Sequence, residues 1–181
     1  MWAADLDGDG DLDVVSASWN DDTVAWYEND GGSPPTFTTR VITTTAAGAT
    51  SVYAADVDGD GDLDVLSAST WDDTIAWYEN NGASPPNFIP RFITTTAAFA
   101  FSVFAADMDN DGDLDVLSAS ILDDTIAWYE NDGSVNPSFT QRVITATADG
   151  ANSVYAVDMD NDGDMDVVST SIYDDTVAWH E

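Results

Sequence analysis

Between Ser51 and Ala97 the apolar residues arrive in four short runs, parted by polar or glycine- and proline-rich segments. "SVYAAD" (Ser51–Asp56) is rich in β-formers, and "DVLSAS" (Asp64–Ser69) stays largely apolar until its end. "DTIAWYEN" (Asp73–Asn80) carries β-branched and aromatic residues at both odd and even positions. After the loop "NGASPPNF" comes "PRFITTTA" (Pro90–Ala97), flanked by proline and ending in threonines, the features of an outer edge strand. Runs of this length bounded by turn residues predict strands, and no helical periodicity is present anywhere. Strands apolar on both faces need cover on both faces. The pattern therefore predicts an all-β fold in which small sheets pack against one another.

The whole pattern returns every 51 residues. Asp5, Asp56, Asp107 and Asp158 keep that spacing, as do Trp26, Trp77, Trp128 and Trp179, without insertion or deletion. A period near 50 suits a propeller blade of four strands. We therefore expect one repeat domain over 1–181, a β-propeller-like array of four-stranded antiparallel blades. Its units run over approximately 1–50, 51–101, 102–152 and 153–181. The last stops at "DDTVAWHE", in its third strand, so the chain holds about 3.5 repeats. Met1 stands where the other units have Val52, Val103 and Val154. The expectation is an excerpt of a longer array, or a member of an assembly, over a ring of four blades.

Composition narrows the partners. The chain has 35 acidic residues against three arginines, no lysine, and a formal charge of −32. Such a body repels phosphate backbones and anionic membrane surfaces and attracts cations. No apolar run approaches the roughly 20 residues needed to span a bilayer. Cysteine is absent and there is one histidine, so neither a Ser/His/Asp nor a Cys/His set is expected, and the reading is non-enzymatic.

The acidic residues are not spread evenly. "DLDGDGDLD" places Asp5, Asp7, Asp9 and Asp13 at positions 1, 3, 5 and 9, with Gly10 at position 6. Asp56, Asp58, Asp60 and Asp64 repeat this, then Asp107, Asp109, Asp111 and Asp115, then Asp158, Asp160, Asp162 and Asp166. Oxygen at alternate positions of a tight loop wraps a hard cation, and glycine at position 6 permits the sharp turn. Carboxylates without His or Cys point to Ca²⁺ over zinc or copper. About four ions are expected, one for each loop. Position 4 alternates Gly8, Gly59, Asn110 and Asn161, which fits a positive φ there. An EF-hand would need a bidentate Glu at position 12, where Ser16, Ser67, Ser118 and Ser169 stand instead, inside strands.

The pattern D-x-D-x-D-G-x-x-D followed directly by a strand resembles the calcium hairpin of FG-GAP repeats, also called VCBS-type repeats, as in integrin α-subunit propellers. The likeness covers the chain in four passes. It implies side-chain ligation by the aspartates named above and carbonyl ligation by Asp11, Asp62, Asp113 and Asp164. The tripeptides that name the family are degraded here to "AAGATS", "AAFAFS" and "ADGANS". Family rings usually have seven blades. The implied role is an extracellular, secreted or cell-surface calcium-binding module for adhesion or assembly. A filament or surface-layer subunit and a carbohydrate-binding propeller are the alternatives.

The remaining recurrent residues read as structure. Trp26/Tyr27, Trp77/Tyr78 and Trp128/Tyr129 fit packing between blades, and His180 stands where a tyrosine is expected. Asp21/Asp22 and their repeats suit turns that bond backbone N–H groups, with a second cation site as the alternative. Arg40, Arg91 and Arg142 should pair with Glu28, Glu79 and Glu130. Residues that depart from the repeat are the candidate contacts for other protein copies or glycans: Trp19, Trp71, Ile121, Leu122 and Tyr173 at the hairpin tips, with Phe99 and Phe101. The threonine runs Thr43–Thr45 and Thr94–Thr96 are candidates for O-linked sugars.

Overall fold

Each acidic loop reverses the chain, so the runs on either side of it pair antiparallel. The computed structural model describes residues 1–181 as fifteen strands in four antiparallel sheets. The first sheet holds β1 (Trp2–Ala4), β2 (Asp13–Ser18), β3 (Thr23–Asn29) and β4 (Phe37–Thr43) in chain order. The second holds β5 (Ala49–Ala55), β6 (Asp64–Ser69), β7 (Thr74–Asn80) and β8 (Phe88–Thr94). The third holds β9 (Ala100–Ala106), β10 (Asp115–Ser120), β11 (Thr125–Asn131) and β12 (Phe139–Thr145). The fourth has only β13 (Ala151–Val157), β14 (Asp166–Ser171) and β15 (Thr176–His180). No helix is long and apolar enough to cross a membrane.

Two strand boundaries differ from expectation. The fourth strand of a unit starts at Phe88, with Pro90 inside it opposite Tyr78. An outermost strand tolerates proline because its outward N–H groups have no partner to lose. It ends at Thr94, short of Ala97, because the Ala97 N–H turns away to the Asp73 carbonyl at 3.0 Å. The first strand begins at Ala49, two residues early, across a bulge between Ala49 and Ser51.

Strand alternation sorts each sheet into two faces that meet different neighbours. The tryptophan face of the first sheet (Val15, Val24, Trp26) packs on the tyrosine face of the second (Val52, Val65, Tyr78). The tryptophan face of the second (Leu66, Ile75, Trp77) packs on Val103, Val116 and Tyr129 of the third. The third repeats this on Val154 and Val167 of the fourth. Each buried β-branched or aromatic side chain contributes about 1.5–3 kcal/mol, so the sheets are bound face to face. No core cluster joins the first sheet to the fourth. The four-sheet antiparallel array is present as expected, and its sheets do not close into a propeller ring.

Cross-sheet hydrogen bonds fix the stacking register. The Asn80 side-chain amide donates to the Leu6 carbonyl of the previous sheet at 3.0 Å, and Asn131 donates to Val57 at 2.9 Å. Along the inner strands, Trp2, Tyr53, Phe104 and Tyr155 form a ladder with ring centroids 4.5, 4.7 and 4.6 Å apart. The expected ion pairs are present: Arg40–Glu28 and Arg91–Glu79 at 2.6 Å, and Arg142–Glu130 at 2.5 Å. All three are half exposed, so each adds at most about 1 kcal/mol.

Candidate metal centres

The β1–β2 connection and its three repeats carry the aspartate loops. Gly10, Gly61, Gly112 and Gly163 adopt φ of 96, 98, 98 and 102°, a region open to glycine alone among ordinary residues. Position 4 also lies at positive φ, at 73 and 72° for Gly8 and Gly59 and 61 and 64° for Asn110 and Asn161. The turn aims the carboxylates of positions 1, 3 and 9 inward. Asp5, Asp7 and Asp13 each offer an oxygen within 4.8 Å of the others. So do Asp56, Asp58 and Asp64; Asp107, Asp109 and Asp115; and Asp158, Asp160 and Asp166.

Position 5 sits differently. The Asp9 carboxylate accepts the Asp11 N–H at 2.9 Å, and Asp60, Asp111 and Asp162 accept the corresponding N–H at 2.9, 3.0 and 3.0 Å. Asp162 also approaches Asp160 and the terminal Glu181. At position 7 the side chains of Asp11, Asp62 and Asp113 lie against Gly31, Gly82 and Gly133 of the loop after the third strand and are not among the three converging carboxylates. That orientation suits carbonyl ligation. Position 1 organises the loop: Asp5 accepts the Asp9 N–H at 3.1 Å and the Gly10 N–H at 2.9 Å.

Position 9 opens the second strand and is buried in all four loops. Asp64 accepts the Val57 N–H at 3.0 Å and the Asn80 N–H at 2.7 Å, tying three strands together. Asp13 and Asp115 make the same pair of bonds. Burial pushes the Asp64 carboxyl up to about 7 and that of Asp115 up to about 6, against the pull of these N–H donors. Burial and then the Asp60 charge also raise Asp58. A cation at the point of convergence removes this strain, since an opposite charge favours the ionised form.

The residues fit a hard cation. All the converging donors are carboxylate oxygens, at alternate positions of a tight loop, as such an ion takes. Asp56 Oδ1 is buried with no hydrogen-bond partner, although Oδ2 of the same carboxylate accepts the Gly61 N–H at 3.0 Å. A buried oxygen left without a donor costs about 1–3 kcal/mol. A metal ion would satisfy it.

At the opposite end of the sheets lie the hairpin tips. Trp19 packs edge-on against Trp71 at 5.6 Å and against Phe99 and Phe101 at 5.9 and 6.5 Å. Ile121 is buried, so it is not the free contact residue expected there. Trp71, Leu122 and Tyr173 remain exposed. Phe99 holds φ at 59°, where Gly48 and Gly150 occupy the matching positions. Asp22, Asp73 and Asp124 also have positive φ, and each accepts a backbone N–H 26 residues onward at 2.8–2.9 Å. These pairs bond backbone as the turn reading expects, but across the sheet-to-sheet connection instead of within the turn. His180 takes the tyrosine role: its Nε2 lies 3.0 Å from Ser169 Oγ, matching Ser67–Tyr78 at 3.2 Å. The asparagine bridges between sheets were missed. Their one signal was the recurrence of Asn at the end of each third strand.

The model of the FG-GAP-like repeat matches the chain at residues 5–67, 56–118 and 109–169. The chain belongs to the FG-GAP-like repeat family. The first two matches each span two whole aspartate loops, and the third begins inside one and spans the next, so the family unit crosses the interface between sheets. Among solved structures, the crystal structure of the V. cholerae biofilm matrix protein Bap1 resembles this FG-GAP-like chain with a TM-score of 0.61 at 20% identity. That similarity covers 98% of the chain and 26% of Bap1, so the FG-GAP-like repeats here span about a quarter of the larger protein. At this identity the likeness speaks to fold. No curated protein matches the chain.

Proposed function

We propose that the protein is an extracellular calcium-binding repeat module with a structural role in adhesion or assembly. The observation that carries the reading is the fourfold convergence of three carboxylates in FG-GAP-like loops, with Asp56 Oδ1 buried and unpartnered. Asp5, Asp7 and Asp13 and their repeats would hold the ion, with Asp9 and the Asp11 carbonyl completing the shell. Bound calcium supplies the counter-charge that lets these carboxylates stay ionised. Extracellular modules bind calcium at roughly 10⁻⁴–10⁻³ M, a range that secretion keeps filled. Kinship in fold with a biofilm matrix protein supports an extracellular setting.

Calorimetric titration of calcium into metal-stripped protein tests this. About four sites should fill, and the melting temperature should rise with calcium by mass action. No heat and a melting curve unmoved by chelator would refute it. A second reading, glycan stacking, is favoured by exposed Trp71 beside Trp19 and Phe99. Quenching of tryptophan fluorescence by a polysaccharide, lost in Trp71→Ala, would support it.

A further inference from the structure

Between the first and second sheets, beside their outermost strands, the packing leaves a cavity of about 320 Å³. Trp26, Arg40 and Ile42 wall it on the first sheet. Pro86, Asn87 and Phe88, where the outermost strand of the second sheet begins, wall it on the other side. Its size falls within the roughly 300–1,000 Å³ of small-molecule sites. No loop aspartate and no hairpin-tip aromatic lines it. No cavity opens at the matching place between the second and third sheets, where Trp77 and Arg91 stand.

The two places differ in what meets the arginine. Arg91 Nη2 donates to Glu79 Oε2 at 2.6 Å and reaches across to the Asn136 side-chain carbonyl of the third unit at 3.5 Å. Pro85 holds the position that matches Asn136 and offers no side-chain acceptor. Arg40 bonds only Glu28 Oε2, from Nε at 2.7 Å and Nη2 at 2.6 Å, which leaves Nη1 without a partner. Its guanidinium carbon lies 5.7 Å from the centroid of the Trp26 ring. The Asn87 side-chain amide makes no hydrogen bond within the protein either; only its backbone does.

Charge limits the occupant. An anion would meet Glu28 and a chain of formal charge −32, and a cation would meet Arg40. The open groups are N–H donors on Arg40 and both a donor and an acceptor on Asn87. Hydroxyls donate and accept through one oxygen, so they match such a set. Phe88 and Pro86 add apolar walls for C–H groups. We propose that this cavity binds an uncharged sugar unit of a polysaccharide, its hydroxyls held by Arg40 and Asn87 and its C–H face against Phe88. The site shares no residue with the calcium loops or with Trp71, so each can fail without the other.

Saturation-transfer NMR on the whole chain in calcium tests it, with methyl glucoside, methyl galactoside and methyl mannoside as probes. At least one should receive saturation from the protein, and more than methyl glucuronide does. Arg40→Ala should weaken binding about tenfold, through loss of a hydrogen bond from a charged donor. Asn87→Ala, at an exposed position, should weaken it about threefold. Arg91→Ala and Trp71→Ala should leave it unchanged. Silence from every neutral sugar overturns the proposal, as does a preference for the glucuronide. So does a loss that follows Trp71 or Arg91 instead of Arg40. Should Arg40→Ala misfold, Asn87→Ala decides in its place; unchanged binding there would again overturn it.

Discussion

The Asp64 carboxylate accepts the backbone N–H of Asn80 at 2.7 Å, joining the candidate metal loop to the third strand of its sheet. The same carboxylate holds the Val57 N–H and contributes an oxygen to the cluster with Asp56 and Asp58. One side chain therefore serves both fold and site. Asp64→Ala should lower the number of calcium ions bound from four to three in a calorimetric titration. It should also cost about 2–4 kcal/mol in urea denaturation, since two buried N–H donors lose their acceptor. Asp60→Ala, at an exposed position, should weaken the same site with a stability loss below about 1 kcal/mol in metal-free protein.

The raised carboxyls set a pH dependence for the metal-free protein. Asp64, near 7, and Asp115, near 6, bind protons in the folded state that an unfolded aspartate releases above about 4. Between those limits the folded state holds more protons, so stability falls as pH rises. Thermal melts in chelator should show the melting temperature climbing from pH 8 to pH 5. With calcium present the trend should flatten or reverse, because protons compete with the ion for the same oxygens. A metal-free protein that grows more stable as pH rises over this range would contradict the assignment.

Phe99 sits in left-handed backbone, which costs a non-glycine residue roughly 1–2 kcal/mol, and it gains the packing of Trp19 in return. Phe99→Ala keeps the strain and loses the ring. Phe99→Gly loses the ring and the strain together. Chemical denaturation should therefore rank Phe99→Gly above Phe99→Ala by about 1 kcal/mol. The reverse order would show that the backbone there is not strained.

Asn80 and Asn29 occupy matching positions, yet Asn80 is buried and bridges two sheets while Asn29 is half-buried and bonds only within its own. Asn80→Ala should cost about 2 kcal/mol, as one buried and one part-buried carbonyl lose a donor. Asn29→Ala should cost under about 1 kcal/mol in dilute protein. Equal losses would mean that the bond between sheets contributes nothing.

Much of this was legible in the chain because repetition averages away accident. The second strand, Asp64–Ser69, was read to the residue, since an aspartate loop opens it and a hairpin turn closes it. The positive φ at Asn110 and Asn161 followed from glycine at the same place in other units. The Arg91–Glu79 pair was legible because the chain has only three cations to place. The fourth strand was legible as an outer edge, but its start was set at Pro90 because proline usually bounds a strand, whereas an edge strand carries one inside it. Ile121 is buried while its neighbour Leu122 is 68% exposed, and two adjacent apolar residues at a tip give no local signal of which one turns inward. Which sheets touch, and whether they close, depends on rotation between neighbours, and a linear pattern carries no trace of that angle.

Each sheet is bound only to the one before and the one after. Under tension such a chain yields link by link. A molecule pulled by its termini should lengthen in near-equal jumps of roughly 170 Å, the contour of one 51-residue repeat. Ions held in the loops would then act as rivets that decide how much force each jump requires.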